Sequence, residues 1–166
     1  MRFKDLLERV EGSEEFKKFK EENSDAELCA GFFILDFLSN DNKDTLDYKI
    51  GEKVFTFSIK DDKIVMNKDK LVDEVGRPSL VEIDKEINIE VDELKGIVGA
   101  RALDEGISAK LNKIIAVLQK YDWKQIWNLT CMMDGLIILN VHVDALSGDV
   151  LKFERKSMMD LIKRKK

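Results

Sequence analysis

The stretch from Leu136 to Ala145, LIILNVHVDA, places an apolar side chain at every second position. Successive side chains of an extended strand point to opposite faces, so Val141 would lie on one face and His142 on the other. The dipeptide Asp134-Gly135 comes just before this stretch, and Asp-Gly between two apolar runs is a strong signal of a β-hairpin. We therefore expect antiparallel sheet at the centre of the fold.

Two further runs extend this hairpin into a β-meander. The run from Ile126 to Met132 comes before the Asp134-Gly135 turn, and the run from Val150 to Glu154 follows the dipeptide Ser147-Gly148. Each run has the length and the bounding turn residues of a strand. The C-terminal half is thus predicted to contain three consecutive antiparallel strands.

The N-terminal half is predicted to begin with two short helices. Apolar residues recur at helical spacing from Phe3 to Val10 and stop at Gly12. Ser13 can cap a second helix, since its hydroxyl oxygen can accept a hydrogen bond from a free amide of the first turn. Phe16 and Phe19 would form the buried side of this second helix.

A second meander is predicted to follow these helices. The run from Leu28 to Leu38 is almost continuously apolar, which favours a strand covered on both faces over the alternative of a buried helix. Extended segments from Leu46 to Ile50 and from Lys53 to Lys60 flank Gly51. Asp61-Asp62 then turns the chain into a last segment, Lys63 to Asn67.

The segment between the two meanders is predicted to contain a boundary and two helices. The run Lys68 to Ser79 loses its periodicity and contains Gly76-Arg77-Pro78, so we place the boundary there. Residues 87 to 91 read as extended. Asp92 can cap a helix that ends near Gly106, and Ser108 can cap another that extends to Lys120. A final helix is expected from Ser157 onward.

These elements define an α+β protein of two halves, residues 1–75 and 80–166. Each half combines helices with an antiparallel meander of about three strands, an order consistent with a duplication. A chain of 166 residues can bury one good core, so we expect the halves to form one compact unit.

The C-terminal half, from residue 87 to residue 154, resembles a PepSY-type module. Such modules begin with an extended segment that leads into a helix, here INIEVDEL from Ile87 to Leu94, and end with strand, turn and strand, here VHVDALSGDVL from Val141 to Leu151. In that turn Asp144 can accept hydrogen bonds from turn amides and Gly148 can supply a positive φ. The resemblance implies a noncatalytic binding or inhibitory module and no catalytic residues. PepSY-type modules usually lie outside the cytoplasm, and the Ser108 helix would be an insertion.

Charge and hydropathy exclude several classes of partner. The net charge is −5 and the pI is about 5.1, so no overall positive field attracts nucleic acid. The first residues are charged and no run of 18 apolar residues occurs. We therefore expect a cytoplasmic protein that does not contact a membrane, and nucleic acid ranks last among its expected partners.

Few residues suggest chemistry. His142 is the sole histidine and would share a strand face with Asn140 and Asp144, but no nucleophile is implied nearby. Cys29 and Cys131 stand alone in apolar runs, which indicates buried free thiols. The oxygen-rich stretch 40–44 lacks the glycine and glutamate that a calcium loop requires. Phosphate-binding glycine motifs are absent too, so we predict no metal site, no cofactor and no catalytic residues.

Aromatic residues form the remaining candidate site. Tyr121, Trp123, Trp127 and Phe153 occur near the second meander, and packing in the core explains them better than an exposed stacking surface does. With His142, Asn140 and Asp144, the two tryptophans complete the set of candidate pocket or binding residues.

The sequence therefore favours a noncatalytic binding protein that acts through its sheet. The run from Leu28 to Leu38 is more apolar than one covered sheet face requires, so a homodimer through the sheet is the first expectation, with another protein partner next. An alternative is a ligand carrier or enzyme with a pocket between a curved sheet and its helices, whose polar groups would include His142, Asn140 and Asp144. A nucleic-acid binder is the third hypothesis.

Overall fold

The computed structural model describes residues 1–70 and 81–157. The helices are α1 (Phe3–Glu11), α2 (Glu14–Glu22) and α3 (Leu94–Asp104), and a short 3-10 helix over Val91–Glu93 leads into α3. The strands are β1 (Glu27–Asp36), β2 (Lys43–Ile50), β3 (Lys53–Lys60), β4 (Lys63–Lys70), β5 (Leu111–Tyr121), β6 (Lys124–Met133), β7 (Ile137–Asp144) and β8 (Val150–Ser157).

All eight strands form one antiparallel sheet in the order β4-β3-β2-β1-β5-β6-β7-β8. Each half contributes a four-stranded meander that starts at the centre of the sheet and proceeds outward. The two meanders meet where β1 pairs with β5, with Gly31 opposite Leu118 and Asp36 opposite Lys113. The predicted α+β class and antiparallel sheet are confirmed, with four strands in each half where about three were expected.

The helices cover one face of this sheet. Their apolar side chains belong to a single buried cluster with residues from the centre of the sheet. At that centre the Phe33 ring lies between Phe3 of α1 and Trp127 of β6, with ring centroids 6.5 and 5.6 Å away. The two halves thus share one core. Nearer the β4 edge, Phe16 and Phe19 of α2 are buried as predicted and pack against aromatic rings of β2 and β3.

Turn and cap residues behave largely as their chemistry predicts. The Ser13 hydroxyl accepts a hydrogen bond from the Phe16 amide at 3.2 Å, which caps α2. Gly135 has a φ of 83° in the β6–β7 turn, and Leu136 belongs to this turn and not to the strand. Gly106 also has a positive φ, 80°, just after α3 ends.

The carboxylate of Glu90 links the two halves. Its Oε2 accepts a hydrogen bond from the Phe3 amide at 2.8 Å and its Oε1 accepts one from the Lys4 amide at 3.0 Å. These amides belong to the first turn of α1, where helix N–H groups have no partner within the helix. Glu90 is 5% exposed, and its Oε2 also accepts from Val91 at 3.2 Å. One buried side chain therefore caps α1 and the 3-10 helix together.

Some of the sequence predictions were wrong. The helix expected from Ser108 to Lys120 is strand β5. Its apolar residues fit a helical stripe, but β-branched side chains at positions 114, 115 and 117 favour a strand, and Ile114, Ala116 and Leu118 alternate onto the covered face. The segment predicted as extended, 87–91, keeps extended backbone angles at Glu90, but Val91 already begins the 3-10 helix. The segment joins no strand of the sheet, and the Asn88 and Ile89 amides both donate to the Ala145 carbonyl.

Two further expectations were wrong in detail. Glu90, and not Asp92, caps the helical segment that leads into α3, through a capping box with Glu93. Strand β1 is not covered on both faces along its length, because Phe32 and Ile34 remain partly exposed. The boundary at Gly76-Arg77-Pro78 and most of the helix predicted from Ser157 lie outside the described residues, and Ser157 itself ends β8.

Candidate binding surface

The sheet face that points away from the helices is the open face. Direct cross-strand partners lie on the same face of a sheet, so the pairing register identifies its members. At its centre Phe32 pairs with Val117 and Ile34 pairs with Ile115. These four residues are the central band. All four are partly exposed, so apolar surface crosses the middle of a face that no described element covers.

Polar residues flank the central band toward β8. Thr130 and Asn128 of β6 lie opposite Ile115 and Val117, and Asn140 and His142 of β7 lie next to them. The Asn140 amide nitrogen is 3.3 Å from the Asn128 side-chain oxygen and 3.3 Å from the Leu129 carbonyl oxygen. This side of the open face therefore carries neutral hydrogen-bonding groups.

Charged residues surround the central band and its polar flank. Among the described side chains of the open face, lysines outnumber carboxylates, although the whole chain has a net charge of −5. The lysines are Lys43, Lys49, Lys60, Lys63, Lys113, Lys124, Lys152 and Lys156, and the carboxylates are Glu27, Asp36, Asp47, Asp144 and Glu154. The open face is thus more basic than the rest of the surface.

His142 and Asp144 share the open face, as the alternation predicted, but each has other neighbours. The His142 ring meets the edge of Tyr121 with centroids 5.6 Å apart. Partial burial, with a smaller effect from the Lys152 cation, lowers the pKa of His142 below its usual value, so the imidazole is neutral near pH 7.

Asp144 performs the turn role predicted for it. Its Oδ1 accepts hydrogen bonds from the Leu146 amide at 2.8 Å and the Ser147 amide at 3.1 Å. Gly148 has the predicted positive φ, 83°. These contacts fix the β7–β8 turn, and this carboxylate oxygen is engaged there.

The two tryptophans of the candidate site differ in their exposure to solvent. Trp127 is fully buried on the covered face, and its indole N–H donates to the Ile89 carbonyl at 2.8 Å. Core packing therefore explains Trp127. Trp123 is 91% exposed in the β5–β6 turn, so core packing does not explain it. Phe153 packs against the core from β8, near the Arg101 guanidinium.

A pocket of about 550 Å³ does lie between the helices and the sheet. It is bounded by α1, α2, β1, β2 and residues 82–85. Its polar groups include the Tyr48 hydroxyl, which is 3.1 Å from a Glu11 carboxylate oxygen, and the Lys85 ammonium, which is 2.8 Å from the same carboxylate. None of His142, Asn140 and Asp144 lines this pocket, so the sequence did not identify its polar groups.

Comparison with known proteins identifies a structure with a similar fold. No protein family model matches the chain, and no curated protein matches its sequence. The crystal structure of a putative lipoprotein from Clostridium difficile 630 is similar, with a TM-score of 0.58 and 14% sequence identity. The match covers 89% of this chain and 94% of that one. The two chains share a fold.

The described part of the chain was compared with two further site types, a metal-binding cluster and a membrane-spanning helix. Across residues 1–70 and 81–157 no three His, Cys, Asp or Glu side chains are grouped to hold a metal ion. No helix in these ranges is both long and apolar enough to cross a bilayer.

Both cysteines are buried free thiols, as predicted. Burial raises the pKa of Cys29 and of Cys131 to about 12, so neither forms a thiolate near neutral pH. We expect neither thiol to react with Ellman's reagent in the native protein at pH 8 and both to react in guanidinium chloride. Rapid native reaction of either one would show that its strand opens readily.

Proposed function

We propose that this chain is a noncatalytic binding protein whose recognition surface is the open face, and that its partner is a second copy of itself. The central band carries the proposal. It places four apolar side chains at the middle of a face that no described element covers. Contiguous apolar surface with a polar rim is typical of protein interfaces.

The size of the open face is sufficient for a stable pair. Strands lie about 4.8 Å apart and rise about 3.3 Å per residue, so eight strands of roughly eight residues give a face of roughly 1,000 Å². A standard interface needs about 800 Å² from each partner. Two copies could therefore form such an interface with their open faces alone.

The edges of the sheet are less suited to pairing than its face. The outer strand β8 carries Lys152, Glu154, Arg155 and Lys156 in close succession, and β4 begins and ends with lysine. Charged side chains on edge strands oppose the addition of further strands. This supports contact through the face and not through an extended sheet.

Charge sets the expected salt dependence of the pair. Because lysines outnumber carboxylates on the open face, pairing two copies face to face brings an excess of like charge together. Salt screens this repulsion over a Debye length of about 8 Å at 0.15 M. We therefore expect the dimer to become tighter as salt rises, whereas an acidic protein partner would bind more weakly.

The experiment is to measure molar mass by light scattering for the native chain and for Val117→Lys. Lysine at the centre of the apolar band should weaken pairing at least tenfold, a cost of about 1.4 kcal/mol or more. Leu103→Lys is the control, because Leu103 is 66% exposed on α3, away from the open face. Equal dimerisation of Val117→Lys and the native chain would refute this interface.

The PepSY-type resemblance belongs to the proposal. The resemblance implies a noncatalytic binding or inhibitory module, which agrees with the function proposed above. The hydrogen bond that Asp144 accepts in the turn and the positive φ of Gly148 support the resemblance at the β7–β8 turn. Cytoplasmic location stays a prediction from the sequence.

The pocket between helices and sheet supports a second candidate, a carrier of a small ligand. Its volume of about 550 Å³ is within the usual range for ligand sites, and Tyr48 offers a buried hydroxyl beside it. A small molecule that raises the melting temperature of the native chain but not of Tyr48→Phe would favour this candidate.

A further inference from the structure

The β5–β6 turn contains one residue, Trp123, that disfavours it locally. Tyr121 pairs with Lys124, so Asp122 and Trp123 alone form the loop. Their φ values are 50° and 66°, the pattern of a type I′ turn, in which asparagine or aspartate is preferred at the first position and glycine at the second. A side chain larger than glycine at such a φ costs on the order of 1 kcal/mol. The turn therefore gains nothing from tryptophan.

Packing does not account for Trp123 either. With 91% of its surface exposed, it is the most exposed large apolar side chain in the described part of the molecule. Its ring gains almost no burial from folding, so hydrophobic burial does not favour it here. A large aromatic ring held in water on a rigid turn is the kind of residue that anchors binding partners.

A pocket of about 410 Å³ opens beside this turn, at one end of the open face. We name it the end pocket. Ile126, which is 1% exposed, lines it, together with Tyr121 and Leu151, whose surfaces are 50% and 44% exposed. His142 meets the Tyr121 ring there. The end pocket is thus lined largely by aromatic and aliphatic surface and has room for one large side chain.

The charges around the end pocket are mainly positive. Lys124 and Lys152 line it, against one carboxylate, Asp122. The Lys152 ammonium is 3.5 Å from a carboxylate oxygen of Glu154 on the same strand. Lys124 is the first residue of β6 and follows Trp123 directly. An apolar pocket with lysines at its rim suits a ligand that has an apolar side chain next to carboxylates.

We propose that the end pocket binds an acidic peptide segment by taking up one of its aromatic or large aliphatic side chains, with Lys124 and Lys152 facing the neighbouring carboxylates. Trp123 does not line the pocket but lies between its lining residues Asp122 and Lys124, so its ring packs against the adjoining part of the peptide. The end pocket lies outside the central band but on the open face, so face-to-face pairing of two copies would compete with the peptide for this surface. Nucleic acid would also stack on Trp123, but it needs a positively charged groove along its backbone, and the described lining of the end pocket includes two lysines.

The test uses a fluorescently labelled peptide, acetyl-Glu-Asp-Leu-Phe-Glu-Asp-amide, and fluorescence anisotropy. We expect saturable binding to the native chain that weakens as salt rises. Trp123→Gly and Lys124→Glu should each weaken binding at least tenfold. Lys63→Glu is the matched control, because it makes the same charge change on the open face at the distant strand β4, and it should bind within twofold of the native chain.

Folding and pairing are separated from binding in this design. Trp123→Gly should unfold at a temperature no lower than the native chain, since glycine adopts a φ of 66° without strain. Val117→Lys, which tests pairing, should bind the peptide at least as tightly as the native chain, because no second copy would cover its end pocket. Peptide binding can therefore fail while pairing stands, and the reverse.

Three results would overturn the proposal. The first is no binding of the peptide to the native chain at millimolar concentration. The second is equal affinity for a peptide in which lysine replaces each acidic residue. The third is tighter binding of an oligothymidine of similar length, which would make the end pocket a nucleic-acid site.

Discussion

Replacing Glu90 with Ala will lower the free energy of unfolding by about 3 to 5 kcal/mol. The substitution removes a buried carboxylate that accepts hydrogen bonds from the amides of Phe3, Lys4 and Val91. Hydrogen bonds to charged groups contribute about 1.5 to 3 kcal/mol each, and buried amides left without a partner carry a further cost. Urea denaturation followed by circular dichroism measures the change.

Glu86→Ala is the matched control, since Glu86 is an exposed carboxylate four residues earlier. It should change stability by no more than about 0.5 kcal/mol. A loss below about 1 kcal/mol for Glu90→Ala would mean that α1 does not depend on the second half for its cap.

Phe33→Ala should mainly reduce stability, whereas Phe32→Ala should mainly weaken pairing. Phe33 is fully buried between Phe3 and Trp127, so its truncation should cost about 3 to 5 kcal/mol through lost burial and a cavity. Phe32 is the next residue, and its side chain lies partly exposed in the central band. Its truncation should cost far less stability and should weaken the dimer.

Each variant serves as the control for the other, because the same side chain is shortened at adjacent positions on opposite faces. Urea denaturation and light scattering on both variants give the two quantities. If Phe32→Ala pairs as tightly as the native chain under conditions where that chain is dimeric, the central band is not the interface.

Turn chemistry explains why much of the sheet could be predicted. Asp134-Gly135 and the Asp144 and Gly148 turn act through residues close in sequence, so their chemistry is visible without knowing the fold. The strands between them follow from alternation. The same local logic identified Ser13 as the cap of α2.

Strand β5 shows where local logic fails. Its apolar residues satisfy a helical and an extended pattern at once, and its place beside β1 at the centre of the sheet decides between them. The β-branched side chains of Ile114, Ile115 and Val117 are the signal in the sequence that favours the strand over the helix.

The candidate site was predicted in part. The excess of apolar residues from Leu28 to Leu38 indicated a second apolar face, and Phe32 and Ile34 lie on it. Because the sequence pattern predicts a helix in place of β5, it does not identify the partners of these residues on that strand. The contact of Glu90 with Phe3 joins residues 87 positions apart, and no local pattern predicts such a contact.

The most direct test of the central claim is the molar mass of the native chain in solution, measured by light scattering across a range of protein concentrations at low and high salt. The account predicts a mass that rises from 19.1 kDa toward twice that value with concentration, and rises more readily in high salt. A mass of 19.1 kDa at every concentration and salt would contradict it.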